Sequence, residues 1–343
     1  MAGSEAGGAA PPPWPDVLVS ILAFHSAATS ERCLRSVLEQ DYPGMVHVVV
    51  REQGGDPQER SRLAAVAVDA SMRSVRVEEA ENLGFAGGHD ATLGNGVGEL
   101  VLVLNADAWL DPGFLAAAVT HFADPKVGAV QGLVVRADDP QRVDTAGLEP
   151  RRNRAVRSRG ADGPLVAVER VEQVWGVDGA VALYRRAALE DVAVPPGPQG
   201  EVFDASFFAY KEDVDLAWRL RRRQWTTVYE PAARATHVRG GRVTRTGGWA
   251  RLRAGAELSR LADRNGFVNH RLLQVKLERP GPFLRTFPWW LVREVGAWLR
   301  LPLREPFPLW APVRIVKGLP RALRMRRAIA RRTLVVDDDR WFR

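Results

Sequence analysis

The sequence predicts an α/β fold in which a mostly parallel sheet carries helices on both faces. Between Asp16 and Ala123, short apolar runs that suit strands alternate with segments of helical spacing. A parallel connection needs a crossover, usually a helix, so this alternation is typical of parallel sheets. One apolar run, 100–104, ends on the polar residues Asn105 and Asp107. Ligands of such sheets bind beyond the carboxyl ends of the strands, so this strand end is a candidate site.

Four strands and four helices are predicted in order over this part of the chain. Apolar runs with many β-branched residues predict the strands. The strands cover 16–24, 45–51, 74–79 and 100–104. Apolar residues at helical spacing predict the helices. The helices cover 30–40, 60–70, 87–96 and 112–123, and the predicted N-caps of the first and fourth are Ser30 and Asp111.

Composition limits the class of protein. The chain has 343 residues and 46% hydrophobic content, enough to bury at least one sizeable core. Cys33 is its only cysteine, so neither an intrachain disulfide nor a cysteine metal cage can form. Residues 1–15 lack the basic and apolar stretches of a signal peptide and are predicted to be a disordered leader. No uncharged apolar run reaches the roughly 18 residues of a spanning helix, so a soluble or surface-bound protein is expected.

Charge divides the chain into two parts. Residues 1–241 hold 25 Lys and Arg against 33 Asp and Glu, whereas residues 242–343 hold 23 against 8. We therefore predict an α/β domain at 16–241 and a basic, mainly helical C-terminal region at 242–343. A basic tail on an acidic body favours an anionic partner for that tail.

The C-terminal region also combines arginines with aromatic side chains. Its prolines predict that residues 280–310 break into short helical pieces. Aromatic rings among arginines suit an interfacial segment, so we expect an anionic membrane surface as partner. No nucleic acid is expected, because no known nucleic-acid-binding motif accompanies the charge. The alternatives are binding to a phosphate backbone and a helical cap that packs its tryptophans on the α/β domain. The aromatic residues concerned are Phe283, Phe287, Trp289, Trp290, Trp298 and Trp310.

The polar strand end has two interpretations. Asn105 and Asp107 can face a pocket, or they can simply form a turn before Asp111, since both residue types are common in turns. The glycine-rich segment 81–96 would let backbone N–H groups approach a phosphate. The GxGxxG pattern is missing after the first strand, which disfavours a nicotinamide enzyme.

A carboxylate cluster follows an aromatic cluster within 203–225. Glu212, Asp213 and Asp215 fall within four residues at a predicted helix start. Aromatic walls can raise the pKa of one carboxylate enough to make it a general base for a hydroxyl group. Three carboxylates at a helix N-terminus also suit the helix dipole, which is the alternative interpretation.

Six segments, taken in order, resemble the GT-A-fold glycosyltransferases of family two, especially the bacterial rhamnosyltransferase-like and galactofuranosyltransferase-like members. The resemblance covers about Asp16 to Gly241. The segments are VSILAFHSAATSERCLRSVLEQDYPG, ENLGFAGGHD, LNADAWLDPG, WGVDGAVALYRRAAL, FDASFFAYKEDVDLAWRL and ATHVRGG. The resemblance implies a GT-A domain at 16–241 and inverting sugar transfer from a nucleotide-diphospho donor.

The resemblance implies a donor site at the strand ends. It implies a divalent cation, Mg²⁺ or Mn²⁺, held by Asp107 and His237, because the diphosphate gains negative charge as the glycosidic bond breaks. Asn105 stands where many relatives have Asp, and an ordinary core or surface histidine is the alternative for His237. The implied donor-binding residues are Phe24, His25, Glu52, Asn82, Gly84, Phe85, Asn105 and Asp107.

The resemblance also implies the base and the acceptor pocket. Asp213 matches the family's general base, and Glu212 and Asp215 are adjacent alternatives. Arg219 is expected to contact the donor or a carboxylate, or else to pair on the helix face. The implied sugar and acceptor pocket consists of Trp175, Asp178, Gly179 and Arg219.

The sequence departs from the family pattern at two places, which bear on base recognition and on the number of sugars added. After the second strand the chain reads VREQGGDPQ in place of Asp-Asn-x-Ser-x-x-Asp, so Arg51 and Glu52 replace the pair that reads the base. Glu52 is expected to accept from a pyrimidine N–H in its place. The Gln-x-x-Arg-Trp signature of processive synthases is absent, which favours addition of a single sugar.

The expected protein is an inverting, metal-dependent glycosyltransferase that moves rhamnose or a related hexose. Its expected donor is dTDP- or UDP-linked, and its expected acceptor is a lipid-linked or other cell-envelope glycan. It is expected in the cytoplasm, peripheral on the inner face of the cell membrane. The alternative is a non-catalytic sugar-nucleotide or nucleic-acid binding protein, in which Asp107 and Asp213 would be replaceable.

Overall fold

The structure, a computed structural model, describes residues 14–26, 29–68, 73–238, 249–304, 308–334 and 341–342. Over 249–259 and at 304 it describes the backbone alone. Nearly all of the predicted leader, residues 1–13, lies outside the described residues. The same holds for 242–248, where the predicted basic region begins.

The first part of the chain alternates strands with helices, and all eight predicted elements are present with small shifts at their ends. Its strands are β1 (Val17–Ala23), β2 (Val46–Glu52), β3 (Ser74–Glu79), β4 (Leu100–Asn105) and the short β5 (Ala108–Leu110). Its helices are α1 (Ser30–Leu38), α2 (Pro57–Val68), α3 (Gly84–Asn95) and α4 (Phe114–Val119).

Both predicted N-caps are wrong. Ser30 is already the first residue of α1, and its hydroxyl donates to the Glu59 carboxylate of α2 at 2.8 Å. α4 begins only at Phe114, behind Gly113, and the Phe114 N–H donates to the backbone carbonyl of Asp111 at 3.0 Å. The Ser30 hydroxyl therefore binds a distant carboxylate and does not cap its own helix. Asp111 lies too far before the first residue of α4 to be its N-cap.

The middle of the chain adds seven strands and two helices. The strands are β6 (Val127–Arg136), β7 (Val143–Thr145), β8 (Leu148–Pro150), β9 (Val156–Ser158), β10 (Glu172–Gln173), β11 (Val181–Arg185) and β12 (Thr226–His237). The helices are α5 (Arg186–Val192) and α6 (Glu212–Arg222). The C-terminal region forms α7 (Trp249–Leu277), α8 (Pro280–Arg304) and α9 (Trp310–Ala330).

Ten strands form one mixed sheet in the order β10-β12-β6-β11-β4-β1-β2-β3, in which β5 also pairs with β12 and β7 with β6. The run β3-β2-β1-β4 is parallel, and so is the pair β6-β12. β11 lies antiparallel between β4 and β6. The segment after β6 leaves the sheet at the carboxyl end of β6, and β11 starts from that same end. No crossover connection carries the chain back to the other end, so β11 runs antiparallel to β6. The mostly parallel central sheet is confirmed, with β11 antiparallel at its centre and the short strands β5, β7 and β10 antiparallel at its margin.

Side chains of the strands alternate between two layers of helices. On β1, Val19 and Ile21 pack in a cluster with residues of α1, α2 and α4. Leu18, one residue away, packs in a second cluster with residues of α3, α5 and α6. This period of two buries both faces of the sheet. The predicted arrangement of helices on both faces is confirmed.

The C-terminal helices are long, so the predicted break into short pieces is wrong. α8 continues over 25 residues with Pro288 and Pro302 inside it. Both prolines are exposed, and the carbonyl groups that lose a partner there can be hydrated. α7 and α9 share a hydrophobic cluster with α6 that includes Trp218, Leu272 and Met325. Among the described residues, no helix combines the length and the apolar character needed to cross a bilayer.

Candidate active site

The carboxyl ends of β1, β2 and β4 bring several predicted donor residues together. The parallel register pairs Leu22 of β1 with Asn105 of β4, and Ala23 with Glu52 of β2. Phe24 and His25 follow immediately, and their ring centroids lie 4.5 Å apart. The N–H of Asn105 donates to the carbonyl of Ala180 at 2.9 Å, which ties β4 to the segment before β11.

Glu52 differs from its predicted role in reading a base. Its side chain is fully buried, and both carboxylate oxygens accept from its own loop. Oε1 accepts from the Gly54 N–H at 2.6 Å and Oε2 from the Asp56 N–H at 3.2 Å. A Cβ added to Gly54 would lie 3.1 Å from the His25 nitrogen, so this loop packs on His25. Glu52 therefore shapes the loop beside the donor site and offers no exposed oxygen to a base.

The turn into α3 joins the donor side to the segment before α6. The Gly84 N–H donates to Asn82 Oδ1 at 2.9 Å, and Gly84 has φ +69°. A Cβ there would lie 2.7 Å from Cδ2 of Phe208 and closer still to the Phe208 carbonyl oxygen. The Ala86 N–H donates to that carbonyl at 3.1 Å. Only glycine fits this approach, and Phe85 follows it beside the pocket.

Asp107 and His237 lie side by side, as the sequence predicts. Asp107 follows β4, and His237 ends β12, where the register pairs it with Ala108. His237 Nε2 lies 3.2 Å from Asp107 Oδ1, and His237 Nδ1 lies 2.8 Å from Asp144 Oδ2. Burial opposes protonation, but the hydrogen bonds to the two carboxylates outweigh it and raise the pKa of His237 to about 10.

A divalent cation with two protein ligands would take the place of the proton that His237 Nε2 shares with Asp107, because only the neutral ring offers a lone pair to a metal. Adjacent ligands of an octahedral ion at about 2.1 Å are about 3 Å apart. Asp107 Oδ1 and His237 Nε2, at 3.2 Å, have nearly that separation. Asp144 binds the second ring nitrogen, as carboxylates behind metal-bound histidines do. The described residues contain no cluster of three or more His, Cys, Asp or Glu side chains that could hold an ion unaided.

Sequence reasoning missed Asp144. It lies 93 positions from His237 in the chain, on the short strand β7, and no local pattern marks it. The antiparallel pairing of β7 with β6, together with the parallel pairing of β6 with β12, is what brings it to His237.

Asp213 is the carboxylate of the acidic cluster that is partly exposed. Its Oδ1 accepts from the Val214 N–H at 2.7 Å. Burial, and after it the nearby Asp178 carboxylate, raises the pKa of Asp213 to about 6. Glu212 is buried, and burial together with Asp213 raises its pKa well above the usual value. Its Oε2 accepts no hydrogen bond from any described residue.

The acceptor-side residues Asp178 and Gly179 lie against Asp213. Asp178 Oδ2 accepts from the Ser158 hydroxyl at 2.8 Å, and the Asp178 N–H donates to Gln131 Oε1 at 2.7 Å. A Cβ added to Gly179 would lie 3.5 Å from the Cβ of Asp213. A Cβ there would also lie 3.2 Å from the Phe85 ring, so glycine at 179 lets Asp213 and Phe85 pack directly against the backbone.

Three predicted site residues lie outside the pocket. Asp215 and Arg219 are both buried and pair with each other at 2.8 Å, and Arg219 also donates to backbone carbonyls of the neighbouring loops. Asp215 pairs in addition with Lys276 at 2.7 Å. Trp175 is fully buried against Trp218, behind α6, with ring centroids 5.9 Å apart. These side chains are buried among protein partners and support α6, which corrects their predicted roles in binding and catalysis.

The segment before Asp213 has a strained backbone, and Asn269 of α7 binds its carbonyl groups. Phe208, Tyr210 and Lys211 have φ of 60°, 74° and 79°, a region that side chains disfavour. The amide nitrogen of the buried Asn269 donates to the carbonyls of Phe207, Ala209 and Tyr210 at 2.9, 3.1 and 2.8 Å. Sequence reasoning missed Asn269, although its position three residues before Leu272 puts it on the apolar face of α7.

The pKa of Tyr210 depends on carboxylates from both parts of the site. After burial, the carboxylates of Glu212 and of Asp107 are the groups that raise its pKa most. The side chain of Tyr210 therefore lies within electrostatic range of both Glu212, in the acidic cluster, and Asp107.

Asp107 and His237, a pair suited to a cation, and Asp213, a carboxylate with a raised pKa, follow the layout expected of a GT-A sugar transferase. The chain belongs to glycosyltransferase-like family 2, whose family model matches residues 12–253. This membership confirms the predicted family and, over residues 12–253, the predicted glycosyltransferase domain.

Two curated relatives have modest identity to the chain. The uncharacterized protein MT1568 of Mycobacterium tuberculosis (strain CDC 1551 / Oshkosh) is 32% identical over 185 residues, 52% of this chain and 56% of that protein. An N-acetylglucosaminyltransferase of Rhizobium meliloti (strain 1021) is 27% identical over 226 residues, 64% of this chain and 50% of that protein. The chain thus spans about half the length of these relatives.

A solved structure supports the fold. The mannosyltransferase PcManGT from Pyrobaculum calidifontis, in complex with GDP-Man and Mn²⁺, superposes with a TM-score of 0.55 at 20% identity. The match covers 93% of this chain and 86% of that protein. At this identity the likeness concerns the fold alone, and it confirms the GT-A prediction.

Proposed function

We propose that the protein is an inverting, metal-dependent glycosyltransferase that moves a sugar from a nucleoside diphosphate to an acceptor hydroxyl. The observation that carries the proposal is the approach of two groups at one sheet edge. Asp107 and His237 form a pair suited to a cation, and Asp213 is a partly exposed carboxylate whose pKa is raised to about 6. After burial, Glu212 and Asp107 are the groups that raise the pKa of Tyr210 most, so its side chain lies within electrostatic range of both parts of the site.

Asp107 and His237 would hold the cation on the donor side. Mg²⁺ or Mn²⁺ bound there would neutralise the charge that develops on the diphosphate as it leaves. Asp144 would keep the His237 ring in the orientation that turns Nε2 toward the ion. The first turn of α3 is not included among the phosphate ligands, because the Gly84 N–H already donates to Asn82 and the Ala86 N–H to the Phe208 carbonyl.

Asp213 would act as the base for the acceptor. Its carboxylate takes the proton of the acceptor hydroxyl while that oxygen bonds to the anomeric carbon and the carbon–oxygen bond to the diphosphate breaks. A single displacement inverts the configuration at the anomeric carbon. A carboxyl with a pKa of about 6 is ionised at neutral pH yet basic enough to assist this transfer.

The donor and the acceptor are finer parts of the proposal. We assign a dTDP- or UDP-linked hexose, rhamnose or a related sugar, as donor, and a lipid-linked or other cell-envelope glycan as acceptor. The Rhizobium relative is an N-acetylglucosaminyltransferase, so UDP-N-acetylglucosamine is included among the donors to test. The basic helices α8 and α9 support a peripheral location on the inner face of the cell membrane.

The test combines a donor screen with three variants. Thermal shift with dTDP-, UDP- and GDP-sugars, with and without Mn²⁺, identifies the donor, and product formation is then measured with that donor. We expect Asp107→Ala and Asp213→Ala each to remove transfer, and Asp213→Ala to keep the donor-induced shift. Asp124→Ala, an exposed acidic residue just before β6 and so at the end of that strand opposite His237, should have the activity of the unmodified protein. Unaltered turnover in both site variants would refute the enzyme and favour a non-catalytic binding protein.

A further inference from the structure

Helix α8 turns several polar residues to the protein and a stripe of apolar residues to solvent. On its inner side, Thr286 and Glu294 are buried. The Thr286 hydroxyl accepts from Arg154 Nε at 2.7 Å, and the Glu294 carboxylate pairs with Arg271 at 2.6 Å. Arg293 donates to the ring of His270 at 2.7 Å. These hydrogen bonds and ion pairs hold the helix in place together with the buried Leu301 and the contact of Trp298 with the Phe267 ring.

The outer side of α8 is a continuous apolar stripe. Leu284, Val292 and Leu299 expose 67%, 75% and 69% of their surface. The spacing of the exposed residues repeats every three or four positions, so they occupy one helical face. We define this outer face by Leu284, Pro288, Leu291, Val292, Val295, Leu299 and Leu303. A soluble helix has the opposite distribution, with its apolar stripe turned to the core.

Charge around the outer face has one sign. Within 280–304 and 310–330 the sequence contains a single acidic residue, Glu294, and it is buried against Arg271. Arg285 and Arg300 are exposed on α8. The start of α9 is close by, because the Phe267 ring contacts both Trp298 of α8 and Trp310 of α9, at 5.0 and 6.4 Å. α9 adds further exposed apolar and basic side chains, namely Val313, Val316, Lys317 and Arg324.

We propose that the outer face of α8 binds the surface of a bilayer that contains anionic lipids. The leucines and valines would enter the acyl boundary, while the flanking arginines would contact the phosphate headgroups. α8 would lie in the plane of the interface, because no described helix has the length and apolarity to cross a membrane. A second protein would also cover an apolar stripe, but the exposed charged residues of α8 and α9 are all basic and complement an anionic lipid surface.

The structure links this face to the acceptor side of the pocket. Arg154, in the turn between β8 and β9, holds Thr286 of α8. Ser158, at the end of β9, donates to Asp178, which lies near Asp213. A sugar acceptor carried by a lipid would therefore reach the candidate base from the side that contacts the bilayer. This link rests on the proposed function, whereas binding to the bilayer does not.

The experiment measures co-flotation of the full chain with two kinds of vesicle, without donor. One is phosphatidylcholine alone, and the other is phosphatidylcholine mixed with phosphatidylglycerol. We expect binding to the mixed vesicles that weakens with salt. Val292→Ser/Leu299→Ser should reduce the bound fraction by about tenfold or more, because it removes apolar surface from the outer face without adding charge.

A matched control separates this face from general apolar exposure. Val166→Ser/Val171→Ser alters two exposed valines elsewhere on the molecule and should bind like the unmodified chain. Thermal unfolding checks that both double variants fold. Arg285→Gln/Arg300→Gln should lose the salt-sensitive part of binding. The proposal is overturned if the chain ignores mixed vesicles, if Val292→Ser/Leu299→Ser binds normally, or if that variant only dissociates a dimer in sedimentation velocity. None of these readouts depends on sugar transfer.

Discussion

Lys276 and Asp215 form a buried ion pair, with Lys276 Nζ 2.7 Å from Asp215 Oδ1. The pair joins α7, in the C-terminal region, to α6, whose first turn carries Asp213. Lys276 Nζ also lies 2.7 Å from Asp204. Burial alone would raise the pKa of Asp204, but Lys276 outweighs it and holds that pKa well below the usual range. The C-terminal region thus fixes the helix on which the candidate base stands.

Removing this cation should destabilise the whole protein. Lys276→Met would leave two buried carboxylates short of a partner, and we expect the free energy of unfolding to fall by about 3–5 kcal/mol. The measurement is urea unfolding followed by circular dichroism. Lys317→Met, on the exposed side of α9, should change that free energy by about 0.5 kcal/mol or less. Equal free energies of unfolding for the two variants would show that the buried ion pair does not stabilise the fold.

The rate of transfer should follow the ionisation of Asp213. A general base is active as the carboxylate, and burial with Asp178 raises the pKa of Asp213 to about 6. We therefore expect kcat/KM to rise with pH up to about 6 and to level off above it, because kcat/KM reports the free enzyme. Asp213→Glu should keep a rising profile at a lower rate, and a flat profile from pH 5 to pH 8 would contradict the assignment.

The same pKa predicts a trade between stability and activity. The folded pKa of Asp213, about 6, exceeds its usual value of 3.8. The stabilising effect of its proton is therefore complete below about pH 3.8 and is lost as the pH rises through about 6. At pH 7.5 Asp213→Asn should abolish transfer yet raise the free energy of unfolding by about 1–3 kcal/mol. At pH 4 the two proteins should differ little.

Asp144 should set the affinity for the cation without binding it. In Asp144→Asn the His237 ring loses the carboxylate at 2.8 Å that fixes its orientation. We expect the Mn²⁺ concentration for half-maximal activity to rise about 10–100-fold, with transfer largely restored at saturating Mn²⁺. Asp124→Asn, at the opposite end of β6, is the acidic control. Loss of activity that added Mn²⁺ cannot restore would point to a different role for Asp144.

The sequence predicts the fold and one part of the site well, for a local reason. Strand and helix periodicity extends over few residues, so β1 to β4 and α1 to α4 are recovered, and so is the strand end that carries Asp107. Glu52, Asp215 and Arg219 are misassigned because their identity suits a ligand equally well as a buried partner. Which partner each meets depends on contacts between distant segments, such as Lys276 on Asp215. Asp144 and Asn269 are missed for the same reason.

Asn269 should control turnover by positioning the segment before Asp213. Its amide binds three carbonyls of a backbone that contains three disfavoured φ angles. We expect Asn269→Ala to lower kcat by about 10–100-fold, to leave the KM for the donor nearly unchanged, and to shift the pH profile. Asn265→Ala is a matched control, since Asn265 is equally buried on α7 but accepts from Arg314 instead. Equal losses in both variants would indicate a general effect on α7.

Gly84 and Gly94 offer a matched pair of substitutions at the two ends of α3. At Gly84, φ is +69° and a Cβ would lie 2.7 Å from the Phe208 ring, whereas a Cβ at Gly94 meets nothing within 4 Å. Gly94→Ala should therefore raise the free energy of unfolding by about 0.4–1 kcal/mol, because it restricts the unfolded chain. Gly84→Ala should lower it by about 1–3 kcal/mol through strain. It should also reduce transfer, since Phe208 can yield only by moving the segment that leads to Asp213. The measurements are urea unfolding and initial rates on the same preparations. If Gly84→Ala were as stable and as active as Gly94→Ala, the contact between α3 and Phe208 would not determine the geometry of the site.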